Sequence, residues 1–255
     1  MLSIDIILSM IASLFAGAID SIVGGGGLIL VPSLFALFPA AQPATLFGTN
    51  KIASVSGTAI AAFQYSRRIN INWYALIPGA ILAWLGSTIG AWTVTHIDGT
   101  SFRKALPFIL LGIFAYTLKK KDFGTIESSQ INSRREKIFI GLIASCIGFY
   151  DGFFGPGTGS FFIFLLVKFL GYDFLRASAT SKILNTATNL SAIILFASKG
   201  HVWWTLGMIM AVSNIVGSLI GSRIAIKYGA NFVRKFFIFM VGALIISNTY
   251  KIYFS

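Results

Sequence analysis

Apolar runs fill most of this chain, at roughly 6–19, 22–38, 45–65, 73–95, 102–118, 138–150, 157–170, 175–197, 203–222 and 236–250, with short polar or glycine-rich breaks between them. A helix needs about 20 apolar residues to cross a hydrocarbon core of roughly 30 Å, so several runs predict spanning helices and several are too short. Long alternating strands are missing from the pattern, which leaves a helical bundle rather than a closed barrel as the spanning structure. The pattern predicts an all-α integral membrane protein of roughly eight to ten membrane segments, some of them short, broken or re-entrant.

The pattern is also written twice. A shift of 131 residues aligns the chain with itself without a gap, placing Gly17 and Asp20 on Gly148 and Asp151, and Gly24 and Gly26 on Gly155 and Gly157. Thr49, Lys51 and Ile52 fall on Thr180, Lys182 and Ile183, and Trp73 on Trp204. Gly86, Ser87, Ile89 and Gly90 fall on Gly217, Ser218, Ile220 and Gly221, and Arg103-Lys104 on Arg234-Lys235. The polar stretch KKKDFGTIESSQINSRREK, residues 119–137, is the seam, giving a first membrane repeat at 1–118, a linker and a second repeat at 138–255. Each repeat carries about five apolar segments, and an odd number sends the second into the membrane from the opposite face. Inverted repeats with paired, glycine-interrupted segments are the pattern of secondary transporters, whose sites lie near the midplane.

Composition agrees with the membrane assignment: 56% of the 255 residues are hydrophobic and only 11% charged, too few to cover a soluble surface. The net charge of +12 would suggest nucleic acid if it were clustered as a binding face. Instead, with the runs numbered as crossings, fourteen basic residues fall on one side, four on the other, and Lys51 and Lys182 lie inside apolar runs. The positive-inside rule makes the richer side cytoplasmic and sends both termini outward. Reading the first two runs as a re-entrant pair leaves this sidedness unchanged. The first run lacks a basic leader segment and carries Asp5, so it reads as retained rather than as a signal peptide. A single cysteine, Cys146, excludes an internal disulfide, and His96 and His201 are too far apart in sequence to suggest a metal cluster.

The candidate chemistry lies at the two interruptions, AGAIDSIVGGGGLIL and IGFYDGFFGPGTGSFF. Non-helical backbone at membrane depth needs protein or water to satisfy it. The runs Gly24, Gly25, Gly26, Gly27 and Gly155, Gly157, Thr158, Gly159 therefore predict two buried or cavity-lining loops, each opening a helix near Leu28 or Ser160. Free N–H groups and the dipole at such helix starts favour an anion. Tight helix packing is the alternative role for these glycines. Asp20 and Asp151 each precede a run by four residues, either to accept the loop's own N–H groups or to carry a proton or pair with a lysine.

Lys51 and Lys182, in GTNKIAS and ATSKILN, sit about two turns into their apolar runs. Helical spacing puts Ser54 and Thr58 below the first, and Asn185 and Asn189 below the second. Thr49, Asn50, Thr180 and Ser181 add donors beside them. Each lysine either faces the pathway, paired with a repeat aspartate or an anionic substrate, or snorkels to the interface. Trp73, Trp203 and Trp204 read as an aromatic belt, the glycines at 86, 90, 217 and 221 as helix packing, and Arg103-Lys104 and Arg234-Lys235 as interface anchors. His96 and His201 read as loop residues.

GFYDGFFGPGTGSFF, ATSKILNTATNLSAIILF and GHVWW, with IDSIVGGGGLILVPSL and GTNKIAS in the first half, resemble the sulfite exporter TauE/SafE family, also called the TSUP transporters. The resemblance covers nearly the whole chain. It implies a multi-pass permease of the bacterial inner membrane that moves small anions, often sulfur oxyanions or organosulfonates, by a secondary mechanism. The glycine-rich segments of that family correspond to Gly24–Gly27 and Gly155–Gly159. The resulting expectation is an alternating-access anion transporter that is not an enzyme, needs no cofactor or metal, and has a small anion and the lipid bilayer as partners. Nucleic acid is not expected, a homodimer is compatible with the pattern, and an anion channel or a non-transporting scaffold or partner subunit remains the alternative.

Overall fold

The breaks in the hydrophobic pattern become helix ends through local capping. The Asn132 side chain accepts from the backbone N–H of Arg134 and Arg135, Asp173 accepts from Arg176, and Pro43 occupies the first turn of its helix. In the computed structural model, which describes residues 4–94, 124 and 132–253, these signals delimit eight helices and no strand among the described residues. They are α1 (Ile4–Val23), α2 (Gly27–Leu37), α3 (Pro43–Ser66) and α4 (Trp73–Val94), then α5 (Ser133–Phe153), α6 (Thr158–Leu170), α7 (Phe174–Ser198) and α8 (Trp204–Tyr253). The apolar run 102–118, His96, the Arg103-Lys104 pair and the seam from 119 to 131, apart from residue 124, lie outside the described residues.

One boundary differs from the hydropathy pattern. The last residues of the polar seam, 133–137, form the first turn of α5, and Glu136 there is buried. The runs 203–222 and 236–250 fall on either side of a non-helical break at Gly229 (φ 72°, ψ −170°) within α8, so they form two helical segments, as the pattern has them. The helix starts otherwise repeat in register: α2, α3 and α4 begin at Gly27, Pro43 and Trp73, and α6, α7 and α8 begin 131 residues later at Thr158, Phe174 and Trp204.

Helices of the first half pack chiefly on helices of the second. α1 runs alongside α8, with Gly217 against the Leu14 carbonyl and Gly221 against that of Ala18. In the same way α4 runs alongside α5, with Gly86 against Ser145 and Gly90 against Phe149. These contacts leave no room for a Cβ, as expected of small-residue seams between membrane helices.

One end of the bundle gathers the starts of α1, α3 and α8 and the end of α2. There the Phe38 and Trp203 rings lie 5.5 Å apart, and the Thr49 hydroxyl accepts from the Trp203 N–H. The opposite end gathers the starts of α4, α5 and α7 and the end of α6, drawn together on Glu136. Its carboxylate accepts from Asn72 Nδ2 at 2.7 Å, from Arg176 at 3.0 Å and from the Tyr172 hydroxyl. Thus α1–α2 enters and returns to one end and α5–α6 to the other, while α3 and α7 run between them. With about 1.5 Å per residue, the 11 residues of α2 reach only ~16 Å, half a bilayer core.

Three of the described helices, Ile4–Val23, Trp73–Val94 and Trp204–Met240, are long and apolar enough to cross a membrane. Their outward faces are also apolar. On α4, Ile77, Ile81, Leu85, Ile89 and Trp92 recur at helical spacing, each more than half exposed. A soluble protein does not leave such stripes uncovered, and they suit contact with lipid. Trp73 and Trp204, at the starts of α4 and α8, are exposed as belt residues would be.

Candidate functional site

The α1–α2 and α5–α6 turns meet inside the bundle, backbone to backbone. Gly24 adopts φ +78° and lies so close to Gly159 that a Cβ on either would overlap the other's main chain. The Ser160 N–H donates to Gly24 O at 3.1 Å, and the Ser160 and Ser178 hydroxyls donate to the carbonyls of Val23 and Ile22. Ser181 donates to Gly159 O at 3.2 Å. The loops thereby satisfy each other's polar backbone where water is scarce. At the second loop Gly155 and Gly157 both hold positive φ, and the Tyr150 hydroxyl donates to Pro156 O.

Two ion pairs cross this meeting point. Lys51, on α3, stands 2.8 Å from Asp151 at the end of α5, and Lys182, on α7, stands 2.9 Å from Asp20 near the end of α1. Each lysine therefore takes the aspartate of the other half. The aspartates also brace their own loops, since Asp20 Oδ1 accepts from Gly26 N at 3.2 Å and Asp151 Oδ1 from the Thr158 hydroxyl at 2.8 Å. Both roles considered for these carboxylates, bonding the loop and pairing with a lysine, are present together.

The two pairs are not equivalent. Lys182 is wholly buried and donates a well-directed hydrogen bond to Asp20 Oδ2. Asp151 Oδ2 lies close to Lys51 but outside hydrogen-bonding angles, and accepts from no other group. Lys51 and Asp151 both face a small central cavity, whereas Lys182 stands behind Asp20, whose carboxylate does reach the cavity.

That cavity has a volume of about 20 Å³, room for roughly one water molecule. Gly24, Gly27, Gly155, Gly157, Thr158 and Gly159 form its loop walls. The polar stripes complete it, with Asn50, Ser54 and Thr58 from α3 and Asn185 and Asn189 from α7. Gly25, Gly26, Thr49, Ser181 and Lys182 lie outside its walls. Thr49 instead donates to Thr45 O and holds the Trp203 N–H. Asn50 is 5% exposed and its side-chain oxygen finds no partner among the described residues.

The starts of α2 and α6 both point into this space, so two helix dipoles add positive potential to that of Lys51. Lysine, hydroxyls and side-chain amides beside two helix starts together make a donor-rich centre for an acceptor-rich anion. The Glu136 cluster was not foreseen among the functional positions. Its acid sits among Arg134, Arg135 and Lys137, where charge reads as solvated linker.

Comparison with known proteins gives a consistent result. The family model for sulfite exporter TauE/SafE matches residues 9–248. A probable membrane transporter protein, ORF9, of Sinorhizobium sp is 35% identical over 92% of this chain and 89% of its own length. A probable membrane transporter protein of Haemophilus influenzae is 35% identical over 92% of this chain and 93% of its own. The probable membrane transporter protein YfcA of Escherichia coli K12 is 33% identical over 87% and 81%. No solved structure matches the chain.

Proposed function

The chain belongs to the sulfite exporter TauE/SafE family of membrane transporters, and from that premise we propose that it is a secondary transporter for a small anion, a sulfur oxyanion or an organosulfonate, built as two inverted repeats. The observation that carries this reading is the crossed pairing of Lys51 with Asp151 and Lys182 with Asp20 where the two glycine loops meet. A pair of cations at matched depth, each held by the other half, ties substrate charge to the relative position of the halves.

In this reading the anion enters beside Lys51 and competes with Asp151 for it. Asn50, Ser54, Asn185, Asn189 and the N–H groups at the starts of α2 and α6 supply hydrogen bonds. A cavity of about 20 Å³ is too small for such an anion, so binding requires the loops to separate. Rocking of one half against the other would then expose the site to each side in turn. Asp151, once released from Lys51, is the candidate proton carrier for coupling. The helix ends support the inversion, because α1–α2 and α5–α6 open on opposite ends of the bundle. The bacterial inner membrane is the location that goes with this reading.

The test is transport by the purified chain in proteoliposomes. Radiolabelled sulfate and taurine, and sulfite, thiosulfate, sulfoacetate and small carboxylates as competitors, would be scored for uptake and for counterflow. Counterflow by one anion class, abolished in Lys51→Ala, is the expected result. Uptake that saturates without counterflow would favour a channel. Neither uptake nor ligand-dependent stabilisation by any anion would point to a scaffold or partner subunit.

A further inference from the structure

A second polar feature lies away from the central site, where α3 ends and α8 approaches its break at Gly229. A cleft of about 690 Å³ opens there between the two helices, and Arg67, Arg68, Arg223 and Lys227 line it with no carboxylate among them. None of the four forms an ion pair with a described residue. Arg67 rests over the Phe63 ring at 5.5 Å and Lys227 over Tyr228 at 5.3 Å, contacts that hold the charges at the rim. Gln64 also lines the cleft, and its Nε2 is buried with no acceptor among the described residues. A cleft with four cations and an unsatisfied donor is matched by an anionic head group rich in acceptor oxygens.

The geometry separates this cleft from the transport pathway. Ile60, on its wall, is nine residues from Lys51, about two and a half helical turns, so it faces away from the central cavity. Phe63, Gln64 and Arg67 share that outward face. The wall nearer the membrane centre is apolar, with Ile60 and Phe63 on α3 and Leu219 on α8. It continues into Val212, Val216 and Ile220, which are exposed along α8. The cleft thus has a cationic floor at one end of the bundle and an apolar wall rising from it. That end is the one the positive-inside bias assigns to the cytoplasm.

We propose that this cleft is a binding site for an anionic phospholipid, whose phosphate is held by Arg67, Arg68, Arg223, Lys227 and the Gln64 amide and whose acyl chains lie along α3 and α8. Basic pockets between membrane helices on the cytoplasmic side suit such head groups, and the planar guanidinium forks suit phosphate oxygens. The lipid bridges a helix of the first half to one of the second, so its binding stabilises their contact.

The test uses the full chain purified in non-ionic detergent and stripped of lipid. Phosphatidylglycerol, phosphatidylcholine and inorganic phosphate are added separately, with binding read by native mass spectrometry and thermal stability alongside. The expected result is phosphatidylglycerol binding and a raised melting temperature, with neither from phosphatidylcholine or phosphate alone. Arg67→Gln/Arg223→Gln/Lys227→Gln should weaken phosphatidylglycerol binding roughly a hundredfold while remaining monodisperse. Lys199→Gln, a charge change at the other end of the bundle, should leave it unchanged. Equal binding of the two lipids would overturn the proposal, as would full stabilisation by phosphate alone or unchanged binding in the triple variant. If the triple variant does not fold, Gln64→Leu replaces it, and undiminished phosphatidylglycerol binding in that variant overturns the proposal equally.

Discussion

Lys182 and Lys51 occupy equivalent positions, yet their surroundings ask different things of them. Lys182 is fully buried and well bonded to Asp20, so removing it leaves that carboxylate with no ion-pair partner among the described residues. Breaking one side of a buried pair typically costs about 3–5 kcal/mol, whereas replacing both partners with apolar groups costs far less. Lys182→Met should therefore lower the melting temperature sharply in detergent, and Lys182→Met/Asp20→Leu should recover most of the loss. If the double variant is as unstable as the single, the pair is not what holds this contact. Lys51→Met also strands a buried carboxylate, since the Asp151 side chain is 2% exposed, so it too should melt lower, and Lys51→Met/Asp151→Asn should recover stability. The expected outcome for that double variant is near-parental melting with transport lost, and transport equal to that of the parent would remove Lys51 from the pathway. Both lysines and both aspartates stood out in the sequence through their shared offset. Which aspartate meets which lysine did not, because the answer depends on α1 packing against α8 and α4 against α5, and spacing within one repeat carries no information about that.

At the scale of the element, glycine works by different means at different places. Gly90 sits where α4 touches the Phe149 carbonyl, and any side chain there forces the two helices apart. Gly200, in the turn after α7, has φ +74° but nothing within 4 Å, so a methyl group there meets strain alone. Gly200→Ala should cost only about 1–2 kcal/mol, and Gly90→Leu should abolish monodisperse protein. Comparable melting temperatures for the two variants would show that the α4–α5 seam yields easily. Most helix starts were legible, since the apolar runs begin near them and recur at one offset, with Trp73 and Trp204 marking one matched pair. Hydropathy alone ran the end of α1, its loop and all of α2 together as 22–38, because a loop buried against protein needs no polar side chains, and it was the glycine run that marked the break and a helix start near Leu28. The first turn of α5 was hidden for the opposite reason. Its charges read as linker, although Asn132 caps a helix there and Glu136 turns inward to Asn72, Tyr172 and Arg176.

For the whole molecule, the decisive question is whether equivalent positions in the two halves face opposite compartments. Arg68, just past α3, and Lys199, just past α7, are related by the same offset of 131 and are both exposed. Helix ends tied to Glu136 on one side and to Trp203 on the other place them at opposite ends of the bundle. The excess of basic residues, fourteen against four, predicts Arg68 inside and Lys199 outside. Cys146 is the single cysteine, so Cys146→Ser supplies a clean background. Arg68→Cys and Lys199→Cys each remove one basic residue, from opposite sides of the bias, and neither change is large enough to reverse it. In intact cells a membrane-impermeant maleimide should label Lys199→Cys, and should reach Arg68→Cys only after permeabilisation. The reverse pattern would keep the inversion and overturn the orientation. Labelling of both from one side would overturn the inversion itself, and with it the argument that two loops entering from opposite faces can gate one central site.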